Sequence, residues 1–540
     1  MIKGIAASKG YAIGKVYKMV HEVLTINQAP CENVEKELIK FDEAIEITRT
    51  QLKVIKEKAE KNIGAEEALV FESHLMFLED PEFVGGIKEA IREEKLHACA
   101  ATDKLKNFYK DIFAQMDNAY MQERAADVED VGNRLIRNIL GVSDLSCGME
   151  AGSIIVAADL TPSDTAQLDK SMVQGFLTNI GGVTSHSAIM ARSMEICAVV
   201  GMGDITEKVE TGTLVIVDGI KGEVIIEPTD SEVAAYKKLI ADYQQKREEL
   251  KKYKNIDLKY ADGRKILVAG NIGSVKDLET VIENGGDGIG LFRTEFVFMD
   301  RDSVPTEAEQ FEIYKTVAEK MAGKSVVIRT LDIGGDKQIP YLNMEKEMNP
   351  FLGLRAIRLC FKHEDIFKAQ IRALLKASAF GDVHIMLPMI GTVDEIRQAK
   401  VIIENCKSEL RNEGISFNEK TPVGIMIEIP AAAVCADVLA KEVDFFSIGT
   451  NDLIQYTLAV DRMNSNVSYL YDPMNISVLK LIENSIKAAH DAGIWCGMCG
   501  EMAGDLKATK VLFDMGLDEF SVSGSSILDI KERISTLVQQ

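Results

Sequence analysis

Residues 423–456 read VGIMIEIPAAAVCADVLAKEVDFFSIGTNDLIQY. Two short apolar runs, 423–427 and 445–449, are separated by a helical stretch, and each ends on polar residues: Glu428 after the first, Asn451 and Asp452 after the second. A short apolar run bounded by polar or turn residues reads as a buried strand, and its alternation with helices marks a parallel sheet. The same unit recurs through the C-terminal half of the chain. Runs at 266–272, 289–294, 326–331, 384–389, 423–427, 445–449, 494–499 and 519–522 are each followed by a helical or loop stretch. Their number, order and spacing predict a (β/α)8 barrel.

The ends of these runs carry a chemical pattern. Arg293 and Arg329 close their runs, Glu428 follows Gly-Ile-Met-Ile, Asn451 and Asp452 follow Ser-Ile-Gly-Thr, and Cys499 closes Trp-Cys-Gly-Met-Cys. In such a barrel the strand ends converge on one face, where catalytic sites lie. Guanidinium forks suit phosphate and carboxylate. Glu428 and Asp452 offer hard oxygen ligands, few enough to suit Mg²⁺ completed by substrate oxygens and water. The expected ligand is a small phosphorylated carboxylate held with a divalent cation, and phosphoenolpyruvate fits. Cys496 and Cys499 could alternatively form a redox pair or half a zinc site. With no second such pair, and on a strand rather than at a helix start, Cys499 reads as a lone acid.

A second constellation lies at residues 181–192, Gly-Gly-Val-Thr-Ser-His-Ser-Ala-Ile-Met-Ala-Arg. The double glycine lets the backbone turn sharply and approach a ligand. Ser185 or Thr184 can cap the helix that follows. His186 then sits at the positive helix end, where backbone N–H groups favour an anion and the field keeps the imidazole neutral and nucleophilic. A core or capping histidine is the plainer alternative, but it needs neither the glycines nor the hydroxyls. The residue is expected to accept a phosphoryl group.

The 540 residues are 46% hydrophobic and 27% charged, as in an ordinary multidomain globular protein. No apolar run approaches the length of a spanning helix, and residues 1–7 lack an extended apolar stretch, so neither membrane insertion nor secretion is expected. Nine scattered cysteines suit a reducing compartment, and a cytoplasmic location is expected. A net charge of −22 argues against nucleic-acid binding. Residues 1–30 and 144–230 read as one α/β domain. Residues 31–143 read as a helical bundle inserted into it, with apolar spacing at Leu38, Phe41, Ile45, Leu52 and Ile55. Residues 231–258 read as a charged connector helix, and 259–540 as the barrel.

The motif GGVTSHSAIMARS closely resembles the phosphohistidine signature of enzyme I of the bacterial phosphoenolpyruvate-dependent sugar phosphotransferase system, and of its dikinase and synthase relatives. GLFRTEFVFMDR, VIRTLDIGGDK, NPFLGLRAIR, IMIEIPAA, FFSIGTNDLIQYTLAVDR and MCGEMAGD are similar to that family's phosphoenolpyruvate-binding barrel. The resemblance implies that Arg293 and Arg329 hold the phosphoryl group, helped by Arg462 and Asn451, with Arg355 near the substrate. It further implies Glu428 and Asp452 as Mg²⁺ ligands, Cys499 as the acid that protonates C3 of the enolate, and Thr165 as the residue orienting His186. The implied partner is the small histidine-containing phosphocarrier protein (HPr), bound by the helical bundle, and the barrel is expected to form a homodimer. Where the family has Asp-Arg-Gly-Asn, this chain has Met463 after Arg462, which bears on loop motion and guanidinium placement. A dikinase or synthase would need an ATP-binding domain, and the largely helical stretch before His186 shows no Gly-rich phosphate loop with a following lysine. A catalytically inactive scaffold is the reading from another class, and retention of all these residues argues against it.

Overall fold

In the computed structural model of the chain, the eight apolar runs of the C-terminal half are the strands of one closed sheet. Residues 2–19, 26, 27, 29–62, 70–114, 119–142, 149–160, 164, 171–182, 185–193, 196–299, 301, 303–335, 339–342, 344, 345, 347–462, 464 and 466–539 are described, without some side chains inside these spans, that of His186 included. Two units result, Met1–Lys246 and Arg247–Gln540.

The second unit is the barrel. Strands Lys265–Ile272, Ile289–Arg293, Val326–Arg329, Val383–Leu387, Val423–Ile427, Phe445–Ile448, Trp495–Met498 and Glu519–Ser523 pair in chain order, all parallel. The last pairs with the first, Leu267 opposite Glu519 through Asn271 opposite Ser523, and closes the ring. Ile289, Phe292, Ile328, Ile385 and Ile427 pack outward against the helices. Alternate positions Leu291, Val327, Met386, Met426, Phe445 and Cys499 form an interior cluster. Side chains in a strand alternate faces, so the residue two beyond an interior one also points inward at the rim. That step from Leu291, Val327 and Met426 arrives at Arg293, Arg329 and Glu428.

Helix ends follow local chemistry. Helix Val393–Glu413 starts at a reciprocal capping box between Thr392 and Glu395, and stops at Gly414 with φ of 71°.

In the first unit, strands pair in the order Ile2–Lys3, Glu223–Ile226, Leu214–Asp218, Tyr11–Lys18, Ser153–Ala157, Val173–Thr178, Cys197–Val200 and Ile5–Ser8. Strands Tyr11–Lys18 and Ser153–Ala157 are parallel neighbours, Val16 opposite Ile154. All of helices Val34–Asn62, Val70–Phe77, Pro81–Glu93, Ala98–Ala114 and Ala119–Leu140 fall between them in sequence. The stripe on the first helix serves two cores: Leu38, Phe41 and Ile45 pack among the helices, whereas Leu52 and Ile55 pack with Ile155 and Phe176 of the sheet. The connector differs from expectation. Its helix is Asp230–Leu250, followed by a 3₁₀ turn Lys251–Tyr253 and by strand Leu258–Lys259. Pairing of Leu258 with Ile266 draws the end of the segment into the sheet, which a charge pattern does not foretell.

Glu519, at the start of the closing strand, is buried. Burial, then the charges of Asp287 and Asp518, raises its carboxyl to about 8. The folded barrel therefore keeps a proton that the unfolded chain has lost above its ordinary value near 4.3. This contribution to stability is greatest below that value and falls as pH rises toward about 8. Glu519→Gln has no such proton to lose. Thermal unfolding at about pH 5 and about pH 8 should show the barrel transition dropping further in the natural protein than in the variant; equal drops would refute the assignment.

Candidate active site at the barrel rim

Two arginines are buried at the C-terminal rim, Arg329 at the end of its strand and Arg355 ahead of helix Ile357–Lys362. Arg329 Nη2 donates to both oxygens of Glu295 at 2.9 Å, and its Nη1 lies 2.9 Å from Asp332 Oδ2. Arg355 donates through Nε to Asp332 Oδ1 at 3.0 Å and through Nη2 to Asp332 Oδ2 at 3.2 Å. The same Nη2 reaches Asp452 Oδ2 at 2.8 Å, and Nη1 donates to the Tyr456 hydroxyl at 3.3 Å. Asp332 is therefore shared by both guanidinium groups. Burial is the largest single influence and disfavours each cation, but the surrounding carboxylates together outweigh it, Asp332 first, then Glu295 at Arg329 and Asp452 at Arg355, and both pKa values rise.

The backbone here is bent into uncommon conformations. Ala356 has φ of 54° and Met389 φ of 55°. For side chains other than glycine this region is sparsely populated and is kept where the surroundings enforce it. At Met389 the result is functional geometry, because its N–H donates to Glu428 Oε1 at 2.6 Å. Gly334, φ +113°, permits close approach: a Cβ there would lie 2.8 Å from the Arg355 Cα.

Glu428 is buried, and its carboxyl is raised to about 8 by burial and by the charges of Asp452 and Asp332, against the pull of Arg355 and Arg329. Asp452 Oδ1 is buried without a hydrogen bond among the described residues, with Arg462 Nη1 4.0 Å away. Among the described residues carboxylates thus outnumber the cations that face them, and Asp452 Oδ1 accepts no hydrogen bond. These features fit a divalent cation held by Glu428 and Asp452. Among the described residues no three His, Cys, Asp or Glu side chains gather as a cage, so the remaining positions would fall to substrate oxygens and water.

Cys499 lies in the barrel interior, its Sγ 3.9 Å from the Ile448 carbonyl oxygen. Burial pushes the thiol up to about 12, so it holds its proton at neutral pH. Asn451 stands to one side, donating through Nδ2 to Glu501 at 3.3 Å and accepting at Oδ1 from the Glu501 N–H at 3.0 Å. Arg293 is in register with Arg329 but exposed, its guanidinium 4.9 Å from the centroid of the Phe296 ring. The structure joins Arg329, Arg355, Glu428 and Asp452 in one network, sets Arg462 and Cys499 beside it, and leaves Arg293 and Asn451 at its margin. Sequence reading missed Glu295, Asp332 and Tyr456 as partners of the arginines. A signal existed in the first two cases, since a buried strand-end arginine requires a nearby carboxylate and both lie within three residues of an expected rim arginine.

In the first unit, His186 opens helix His186–Ser193. Ser185 Oγ accepts from the Ala188 N–H at 3.4 Å, as a capping serine does. Gly181 has φ of 118°, and a Cβ there would come 3.1 Å from Ser185 Oγ. Thr165, Thr184 and Met463 lie outside the described residues, as does the His186 side chain.

Asp332→Ala leaves two buried guanidinium groups short of a carboxylate and is expected to destabilise the second unit by about 3–5 kcal/mol. Asp332→Asn keeps an acceptor and should cost less. Urea unfolding followed through the barrel transition checks both, and near-identity of Asp332→Ala with the natural protein would contradict the shared-anchor geometry.

Three family profiles match along the chain. Residues 3–124 match the PEP-utilising enzyme N-terminal profile, 149–222 its mobile domain and 247–538 its PEP-binding domain. A phosphoenolpyruvate-protein phosphotransferase of Priestia megaterium is 52% identical over 537 residues, 99% of this chain and 94% of that one. Proteins of the same name from Listeria monocytogenes (100% of this chain, 94% of that one) and Staphylococcus aureus (99% and 94%) are each 52% identical over 539 residues. The solution structure of an Enzyme I protein (nEIt) is 46% identical and matches 45% of this chain and 100% of its own, with a TM-score of 0.41. With the rim geometry and full-length likeness in agreement, the chain belongs to the phosphoenolpyruvate-protein phosphotransferases, enzymes of the PEP-utilising family.

Proposed function

We propose that the chain transfers the phosphoryl group of phosphoenolpyruvate to His186 and then to a histidine of HPr, releasing pyruvate, as the first step of sugar uptake by a phosphotransferase system. The observation that carries this reading is the rim network, two buried arginines braced by carboxylates beside an Asp452 oxygen that accepts no hydrogen bond among the described residues. Arg329 and Arg355 are held in place before substrate arrives, so their charge meets phosphoryl oxygens with little reorganisation. Arg293, Arg462 and Asn451 complete the anion site from its margin. Glu428 and Asp452 would hold Mg²⁺, which when bound offsets negative charge on the phosphoryl group.

In the reaction the His186 imidazole attacks phosphorus in line, an N–P bond forms, and the bond from phosphorus to the enol oxygen breaks. The enolate takes the Cys499 proton at C3 and becomes pyruvate. Thr165 orients the imidazole. His186 belongs to the first unit and the rim to the second, so the two must meet for this step and part for the next, about the 231–258 connector. In this reading residues 1–30 with 144–230 form the phosphohistidine domain, 31–143 receive HPr, and the 259–540 barrel also forms the homodimer. No described helix is long and apolar enough to cross a membrane, which accords with work in the cytoplasm.

Incubation with phosphoryl-labelled phosphoenolpyruvate and Mg²⁺ tests the proposal. The natural protein should take up an acid-labile, base-stable label and release pyruvate, and His186→Ala should take up none. Labelling of the variant would place the nucleophile elsewhere. Cys499→Ala should slow pyruvate formation by about 10²–10⁴-fold, the usual weight of a positioned acid. An unchanged rate would remove Cys499 from the mechanism.

A further inference from the structure

Asn271 lies on strand Lys265–Ile272, the first of the barrel, and is half-buried. Ile266, Val268 and Ile272 of that strand pack outward with the helices, so alternation turns Asn271 inward. In register beside it on the next strand is Leu291, of the apolar interior cluster. Packing alone would favour an apolar side chain at this position. The chain instead carries an amide, and both of its polar atoms are engaged.

Asn271 Nδ2 donates to the Cys499 carbonyl oxygen at 3.0 Å and to the Ser521 carbonyl oxygen at 3.2 Å. Its Oδ1 accepts from the Ser521 hydroxyl at 2.6 Å, and Ser521 is fully buried on the closing strand Glu519–Ser523. The serine thus sets which way round the amide sits, with its N–H groups toward Cys499. Cys499 is confined from other sides too. Its N–H donates to the Ile448 carbonyl oxygen at 3.1 Å. Gly500 follows, and a Cβ there would collide with Thr450 Oγ1, so the chain has no room to shift that way. With its backbone held, the thiol moves only by rotation about Cα–Cβ, among three staggered positions. Of these restraints, the Asn271 bond is supplied by a replaceable side chain, whereas the Ile448 bond joins backbone to backbone.

We propose that Asn271 is the positioning residue of Cys499: its amide holds the Cys499 peptide so that the thiol delivers its proton to one face of C3 of the enolate. The inference rests on the reading of Cys499 as the acid and adds the residue that aims it. In that step the S–H bond breaks, its electron pair stays on sulfur, and a C–H bond forms at C3. Asn271 itself exchanges no proton. A displacement of about 1 Å can cost such a step about 100-fold, and a misplaced thiol lets water protonate either face.

The test uses the full chain with Mg²⁺ and (Z)-[3-²H]phosphoenolpyruvate in tritiated water. Protonation at C3 then makes a chiral methyl group, whose configuration is read after the pyruvate is trapped as lactate. The natural protein should give one configuration. Asn271→Leu, similar in volume, should form pyruvate about 10–100-fold more slowly and as a mixture of configurations. In a Cys499→Ala background the same substitution should change the rate by less than about twofold, because Asn271 acts through the thiol. If Asn271→Leu fails to fold, Ser521→Ala, which removes the bond that orients the amide, decides by the same comparisons. A folded variant that keeps the natural rate and the single configuration would overturn the proposal; lowered thermal stability alone is what a strand clamp would show. So would an equal loss of rate with and without Cys499. A mixture from the natural protein, or an undiminished rate in Cys499→Ala, would instead strike the acid role of Cys499 and, with it, the aiming of its thiol.

Discussion

Asp332 lies between two guanidinium groups at the barrel mouth, and the arrangement of the rim depends on it. Arg329 and Arg355 come from separate segments and are buried, a position that a cation holds only with a partner. One carboxylate in contact with both fixes their separation. Glu295 and Asp452 then secure the outer sides of the pair. The site consequently exists before any substrate enters, and its geometry is a property of the folded barrel rather than of the ligand.

The barrel makes this possible by a simple periodicity. Interior residues of one layer are apolar, and on three of the strands the next inward position, beyond Leu291, Val327 and Met426, carries charge. The apolar layer excludes water from below, which strengthens every charge interaction above it. It also keeps Cys499 protonated, because a thiolate there would face the same desolvation. The opposite mouth repeats the principle with a different outcome: Glu519 is buried near other carboxylates and retains its proton.

In the first unit the sheet and the inserted helices share material. Helix Val34–Asn62 contributes its early turns to the bundle core and later ones to the sheet core, so the insertion is fastened rather than merely tethered. The backbone at Gly181 and the start of helix His186–Ser193 follow their glycine and serine directly, since a positive φ and a serine cap are local preferences that need no distant partner.

By itself the sequence determined the alternation of strands and helices, the closed barrel, the helical insertion, and which charged residues stand at strand ends. Each of these follows from local periodicity or from the face that a residue must occupy on its strand. It picked out Arg329, Glu428 and Asp452 because they stand at or just beyond strand ends, which converge on one face of such a barrel, and the resemblance of motifs added Arg355. Tertiary structure alone decided which rim residues join. Arg293 and Arg329 look equivalent as strand ends, yet one is exposed over Phe296 and the other is enclosed by Glu295 and Asp332. Sharing of Asp332, the strained turn that aims the Met389 N–H at Glu428, and the pairing of Leu258 with Ile266 are likewise products of closure. They depend on distances between segments far apart in the chain, and those distances are set only when the eighth strand meets the first.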